Sequence, residues 1–369
     1  MKKIGIITYH FAVNYGAVLQ CYALQKYLEE KGFEVEVLNY VNEVQKRNND
    51  IIKHGKSIKK VMINGLLLPF RSKISEKHKN FKKFTNDYLN LSKEISNVDE
   101  LSKYINKNKF DYLISGSDQV FNRNIEDFDI AFLFPFECNA KKISYAASTG
   151  SANKNDILAL KKYLDQFDEI SIREEKDLIK FDGVTSKKIS VVCDPVMLLE
   201  QNLWSKITQK TNKDKDEYVV CYFLHKHLFS EEFKKAKKIA KERNLKLVVI
   251  NSRFSINSLR KNTIFTAGPK EFVELIKNAK FVCTDSFHGT LFSLIFNKEF
   301  ICFDTKKNVN DSRRKNLLQN VDALNAYHFV EDELELLKIQ LGYKKINNNI
   351  KKIKDDSYRF LEYLNERKN

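Results

Sequence analysis

The chain is predicted to be an α/β protein of two Rossmann-like, doubly wound domains facing a cleft, with a helical insertion and C-terminal helices. Three observations predict this. Short buried-type apolar runs alternate with helical stretches along most of the 369 residues, the pattern of parallel sheets joined by crossover helices. The alternation breaks at Pro195 and then resumes, and the length suffices for two cores. Polar clusters follow the predicted strands, where open α/β sheets hold their ligands.

Taken in order, Lys3–Thr8 reads as a buried strand. Gly16–Lys31 reads as a helix, because Ala17, Cys21, Leu24 and Leu28 recur at helical spacing and Gly32 ends the run. Glu34–Tyr40 is the next strand. The turn Tyr9-His10-Phe11-Ala12-Val13-Asn14-Tyr15-Gly16 has one glycine where a dinucleotide fingerprint has three, which argues against a nicotinamide or flavin site. Asn14 and Gly16 are placed to present amides at the helix start. Residues 41–109 turn basic and helical, with an apolar knot at Val61–Phe70, and read as an insertion over one side of the sheet.

Strands resume at Phe110–Ile114, Lys142–Ala146, Glu169–Ile172 and Ser190–Val192, with helices at Ile157–Phe167 and Glu174–Phe181. Pro195 blocks continuation of the sheet, so residues 1–195 form the first domain and Gln201–Lys215 a polar crossing. Residues 196–330 form the second domain. Its strands are Tyr218–Phe223, Lys246–Ile250, Phe281–Cys283 and Phe300–Cys302. Its helices are Glu231–Arg243, Pro269–Asn278, Leu291–Phe296 and one starting at Asp311. Residues 331–369 are a C-terminal segment, helical and amphipathic over Asp332–Glu366.

Lysine and arginine number 64 against 48 acidic residues, a net charge of +16. That favours anionic partners: phosphorylated substrates, an anionic membrane surface contacted peripherally, or nucleic acid. The basic residues lack a nucleic-acid motif or an aromatic platform between them, which argues against nucleic acid. Six cysteines without a C-x-x-C pair read as reduced core thiols of a cytoplasmic protein, not as a disulfide frame or zinc site. Met1-Lys2-Lys3 and its short apolar run read as a first strand, not a signal peptide. No run reaches the roughly 18 apolar residues of a membrane span.

The densest chemistry lies in Thr284-Asp285-Ser286-Phe287-His288-Gly289-Thr290, between an apolar strand and an apolar helix. A helix N-terminus there would meet an anion with its amides, and His288 would offer a titratable acid. The plainer alternative is a helix cap, Thr284, Asp285 or Ser286, with a histidine nearby. Ser115-Gly116-Ser117-Asp118 reads as a second ligand turn, or as an ordinary turn capped by Asp118. Arg173, at the end of a strand, is an anion clamp or an ion-pair partner of Glu174 or Glu175.

These pieces together resemble the polysaccharide pyruvyl transferase family over roughly Lys3–Leu318. The matching stretches are Asn14-Tyr15-Gly16-Ala17-Val18-Leu19-Gln20 with Tyr22-Ala23-Leu24, Ser115-Gly116-Ser117-Asp118-Gln119-Val120, Ile143-Ser144-Tyr145-Ala146-Ala147-Ser148, Ser171-Ile172-Arg173-Glu174, Asp194-Pro195, the Thr284–Thr290 motif and Ser312-Arg313. The resemblance implies a GT-B-like fold and transfer of the enolpyruvyl unit of phosphoenolpyruvate to two hydroxyls of a nucleotide- or lipid-linked sugar, giving a pyruvate ketal for cell-surface polysaccharide. It implies no cofactor. Members often carry an arginine two residues before the motif histidine, where this chain has Ser286, so Arg173 and Arg313 become the expected anion clamps.

The residue types suit that chemistry. His288 is the expected acid, with Asp118 and Asp285 as candidate bases. Arg173 and Arg313 would fork onto carboxylate or phosphate. Asn14, Gly16, Ser115, Gly116, Ser117, Ser286, Gly289 and Thr290 complete the expected binding set, and no metal cluster is expected. The rival readings are a GT-B-type glycosyltransferase using a nucleotide sugar and a basic nucleic-acid-binding protein.

Overall fold

The computed structural model describes residues 1–49, 68–208, 217–224, 229–251, 262–306, 313–333 and 339–365. The chain divides into two compact units, Met1–Leu199 with Ile353–Asn369, and Glu200–Lys352.

The first unit holds a six-stranded, wholly parallel sheet: β1 (Lys3–Ile7), β2 (Glu34–Val37), β3 (Tyr112–Ser115), β4 (Lys141–Ala147), β5 (Glu169–Ile172) and β6 (Ile189–Val191). The spatial order is β2-β1-β3-β4-β5-β6. After β1 the chain goes out to one side for β2 and returns to the other side for β3. The gap between the β1 and β3 loops is therefore this sheet's topological switch point, the crevice where such sheets take ligands. The central strands β1 and β3 are mostly apolar because both faces are covered, as parallel sheets require. Ile4, Ile6, Ile7, Leu113 and Ile114 are all fully buried. Helix Tyr15–Glu30 is buried on nearly every side, not only on the apolar stripe that its spacing predicts.

The second unit repeats the plan with β7 (Tyr218–Phe223), β8 (Lys246–Asn251), β9 (Thr263–Ile264), β10 (Phe281–Thr284), β11 (Glu299–Asp304) and β12 (Tyr327–Phe329). All neighbours pair in parallel, in the order β12-β11-β10-β7-β8-β9. Here the reversal falls between β7 and β10, so the β10 loop, with its Asp285–Thr290 motif, borders the second switch point. Its core gathers Val219, Cys221, Ala236, Ile239, Phe281, Cys283, Ile301 and Phe303.

Several expected elements differ in detail. Ile157–Phe167 is not one helix but two short ones, Lys154–Leu158 and Lys161–Leu164. The backbone tightens between them through i+3 bonds from Leu160 to Ile157 and from Tyr163 to Leu160, each 2.9 Å, which lets both Leu160 and Leu164 face the core. Glu175–Lys180 is a 3₁₀ helix. The C-terminal helix covers Tyr343–Glu362, and Asp332 and Glu333 precede it as turn and coil. Helices Arg71–Tyr88 and Val98–Asn108 lie within the expected insertion. Most of the Val61–Phe70 knot, the 209–215 crossing, Asp311 and Ser312, and residues 334–338 and 366 lie outside the described residues. Among the described residues no helix is long and apolar enough to cross a membrane.

Candidate functional site

In the second unit, helix Phe287–Ile295 begins four residues earlier than its apolar core suggests, with Ser286 as N-cap. The cap hydroxyl accepts from the Gly289 amide at 3.3 Å. Thr284 Oγ1 donates to the Tyr222 carbonyl at 2.7 Å and accepts from the Ser286 amide at 3.0 Å, bolting the turn to β7. A Cβ on Gly289 would sit 2.3 Å from Thr284 Oγ1, so this close approach needs glycine. Thr290 Oγ1 donates to the Ser286 carbonyl at 2.9 Å. Ser286, Gly289 and Thr290 therefore build the turn that presents the helix N-terminus.

Asp285 is 1 % exposed, and its Oδ1 accepts from the Leu224 amide at 2.6 Å, joining the loops that flank the switch point. That geometry makes it a positioning group. His288 stands in the first helical turn, half-buried, its ring edge-on to Phe287 at 5.5 Å. The positive end of the helix lies beside it.

Beneath this turn lies a cluster that reading the sequence did not find. Asp304, at the end of β11, accepts on Oδ2 from Arg314 Nη2 at 2.8 Å and from the Tyr327 hydroxyl at 2.5 Å. Its Oδ1 accepts from the Thr305 amide at 2.8 Å. Arg314 is the deeply buried arginine of its helix, whereas the expected Arg313 is half-buried at the first residue. Burial opposes the Arg314 charge, but Cys302, Asp304 and Asp285 outweigh it and raise its pKa.

Glu232, on helix Phe229–Glu242, is fully buried, and among the described residues neither carboxylate oxygen has a hydrogen-bond partner. Burial, then the nearby Asp285, push its pKa up to about 9 against the pull of Arg314, with Asp304 adding to the rise. Glu232 is thus a neutral acid at neutral pH. The sequence did hold a signal: Glu232 precedes Ala236 by one turn and Ile239 by two, on the stripe that faces the sheet.

In the first unit, Asn14 caps helix Tyr15–Glu30, its Oδ1 accepting from the amides of Gly16 at 2.9 Å and Ala17 at 3.4 Å. Gln20 Nε2 donates to Thr8 Oγ1 at 2.9 Å, while its Oε1 accepts from the Ser117 amide at 3.2 Å. Gln20 therefore couples the helix to the β3 turn. Gly116 has φ +110°, and a Cβ there would lie 2.5 Å from the Tyr145 carbonyl oxygen. Ser117 Oγ donates to the Ala146 carbonyl at 2.7 Å. Ser115 is fully buried, its hydroxyl unpartnered among the described residues.

Asp118 is half-buried at φ +70°, and its Oδ1 accepts from the Gln119 amide at 2.9 Å. Arg173 is buried, with Nε donating to Glu174 Oε1 and Nη1 to Asp194 Oδ2, each at 2.8 Å. Burial opposes its charge, but Glu174, Asp194 and Asp118 together raise its pKa. The guanidinium is held as an ion-pair hub whose field reaches Asp118. Asn14, Gly16, Ser115–Asp118 and Arg173 thus belong to the first unit, and Asp285, Ser286, His288, Gly289, Thr290 and Arg313 to the second. Among the described residues no group of three or more His, Cys, Asp or Glu side chains could hold a metal ion.

The family model described as polysaccharide pyruvyl transferase matches residues 14–308. No curated protein matches the chain in sequence. Among solved structures, a putative UDP-N-acetylglucosamine 2-epimerase from Listeria monocytogenes is similar at TM-score 0.57 and 11% identity, over 100% of this chain and 98% of that one. The UDP-GlcNAc 2-epimerase of Methanocaldococcus jannaschii, in complex with UDP-GlcNAc and UDP, gives TM-score 0.51 and 14% identity over 99% of each chain. These likenesses concern the fold alone, which is GT-B-like.

Proposed function

Because the chain belongs to the polysaccharide pyruvyl transferase family, we propose that it transfers the enolpyruvyl unit of phosphoenolpyruvate to two hydroxyls of a sugar, forming a pyruvate ketal for cell-surface polysaccharide. The observation that carries this reading is the placement of His288: an imidazole in the first turn of a helix, beside the switch point of the second sheet. An anionic donor suits the helix N-terminus, and the imidazole is placed to donate a proton.

In this mechanism His288 protonates the donor's methylene carbon, and positive charge develops at C2. One sugar hydroxyl attacks C2, phosphate departs, and the second hydroxyl closes the ketal. Of the two hydroxyl protons, one balances the new methyl proton and the other leaves with phosphate, so the enzyme gains and loses none. Of the candidate bases, Asp118 is half-buried in the first unit, within the field of Arg173. Arg313 and the amides at the start of helix Phe287–Ile295 take the donor's anionic groups. Asp285 holds the turn.

Phosphoenolpyruvate at a hundredfold excess over its dissociation constant should stabilise the fold by about 2.7 kcal/mol. A thermal-shift titration against phosphoenolpyruvate and UDP-N-acetylglucosamine reads this. A rise with phosphoenolpyruvate supports the transfer. A rise with the nucleotide sugar alone would favour a glycosyltransferase instead.

A further inference from the structure

Tyr9 follows β1 and Asp118 follows β3, on either side of the first sheet's switch point. The two loops are stitched together, Thr8 Oγ1 donating to the Ser117 carbonyl at 2.9 Å. Tyr9 is 5 % exposed, its ring seated 4.6 Å from that of fully buried Phe132. Among the described residues its hydroxyl has no hydrogen-bond partner, although a buried tyrosine O–H usually finds one. Three carboxylates lie in its field, those of Asp127, Asp118 and Asp129.

Asp129 is fully engaged, accepting from the Tyr40 hydroxyl at 2.8 Å, Asn42 Nδ2 at 2.5 Å and the Ala131 amide at 2.9 Å. Asp118 and Asp127 are not. Both are half-buried, Asp118 Oδ1 accepting from the Gln119 amide and the Asp127 carboxylate from its own backbone amide. Burial raises the Asp127 pKa, and Asp118 adds to the rise. Phe11, also half-buried, stands beside Tyr9 with ring centroids 5.9 Å apart.

We propose that Tyr9, Phe11, Asp118 and Asp127 form the subsite that binds the acceptor sugar through its hydroxyls. The inference rests on the reading above that the second substrate is a sugar. Arg173, whose field reaches Asp118, is already paired with Glu174 and Asp194, so the carboxylates of Asp118 and Asp127 would still repel a phosphoenolpyruvate anion, and among the described residues no group of three or more His, Cys, Asp or Glu side chains could hold a metal ion. A neutral sugar ring suits every part. Its hydroxyls donate to Asp118 and Asp127, Tyr9 Oη exchanges hydrogen bonds with a third oxygen, and the Phe11 ring covers C–H surface. Two carboxylates side by side also match a reaction that uses two hydroxyls of one sugar.

The test uses the full chain, without phosphoenolpyruvate, and saturation-transfer NMR against methyl glycosides of the common hexoses and N-acetylhexosamines. At least one glycoside should bind, and Tyr9→Phe and Asp127→Asn should each weaken it about tenfold. Neither substitution should reduce the thermal shift given by phosphoenolpyruvate. Binding of no glycoside, or binding unchanged in both variants, overturns the subsite. If one variant does not fold, the other decides alone. Sugar binding that depends on Tyr9, without any response to phosphoenolpyruvate, would keep the subsite and remove the donor reading.

Discussion

His288→Asn is expected to lower turnover by a factor of about a hundred to ten thousand, the usual worth of a general acid, with the melting temperature little changed. The side chain is half-buried in the first turn of helix Phe287–Ile295. The turn is held by other groups: the Ser286 cap, the Thr284 hydroxyl and the Asp285 carboxylate. An asparagine keeps polarity and much of the volume but supplies no proton. Donor affinity should therefore survive, because the helix N-terminus remains. The measurement is phosphate release and thermal melting on one preparation. Near-normal turnover would remove His288 from the chemistry, and a large fall in melting with activity preserved per folded molecule would mark it as structural.

Glu232→Gln is expected to stabilise the protein, by an amount that grows with pH. In the unfolded chain this carboxyl ionises with an ordinary pKa near 4.5, whereas in the fold burial and the neighbouring Asp285 push it up to about 9. A group whose folded pKa is raised contributes stability fully present below the unfolded value. That contribution is lost as pH climbs toward the folded value. Between these limits folding must take up a proton, so at pH 7 the wild-type side chain costs on the order of 3 kcal/mol. An amide of the same shape does not titrate. Denaturant melts from pH 5 to pH 9 should give near-equal stabilities at the acid end and a widening advantage for the variant above it. Parallel curves for the two proteins would mean that Glu232 is ionised in the fold.

Much of this architecture is legible in the sequence because parallel strands covered on both faces must be unbroken apolar runs. Tyr218–Phe223 and the Phe281 strand are such runs, and they fall where the spacing places them. The two strands not anticipated, Thr263–Ile264 and Tyr327–Phe329, are short edge strands. Half-buried residues form them, which no apolar run announces. The Asp285–Thr290 turn was visible as polar chemistry between apolar elements, but the start of its helix was not. Phe287 and His288 look like loop until Ser286 is known to cap them.

Electrostatic partners were harder to read. Arg173 could be assigned to an ion pair or an anion site from sequence. Asp194, 21 residues away, decides its geometry by coming alongside across the β5–β6 edge. Arg313 and Arg314 are adjacent, and only the rotation of their helix determines which one reaches Asp304. Glu232 falls within the expected helix Glu231–Arg243, and its spacing from Ala236 and Ile239 puts it on the inward face.

The central claim is most directly tested by incubating the protein with phosphoenolpyruvate and candidate nucleotide- or lipid-linked sugars, then following phosphate and the sugar product together. The account predicts one phosphate released for each pyruvate ketal formed, with two sugar hydroxyls replaced in the product and both signals lost in His288→Asn. Phosphoenolpyruvate left intact beside every acceptor, while a nucleotide sugar is turned over by the same preparation, would contradict it.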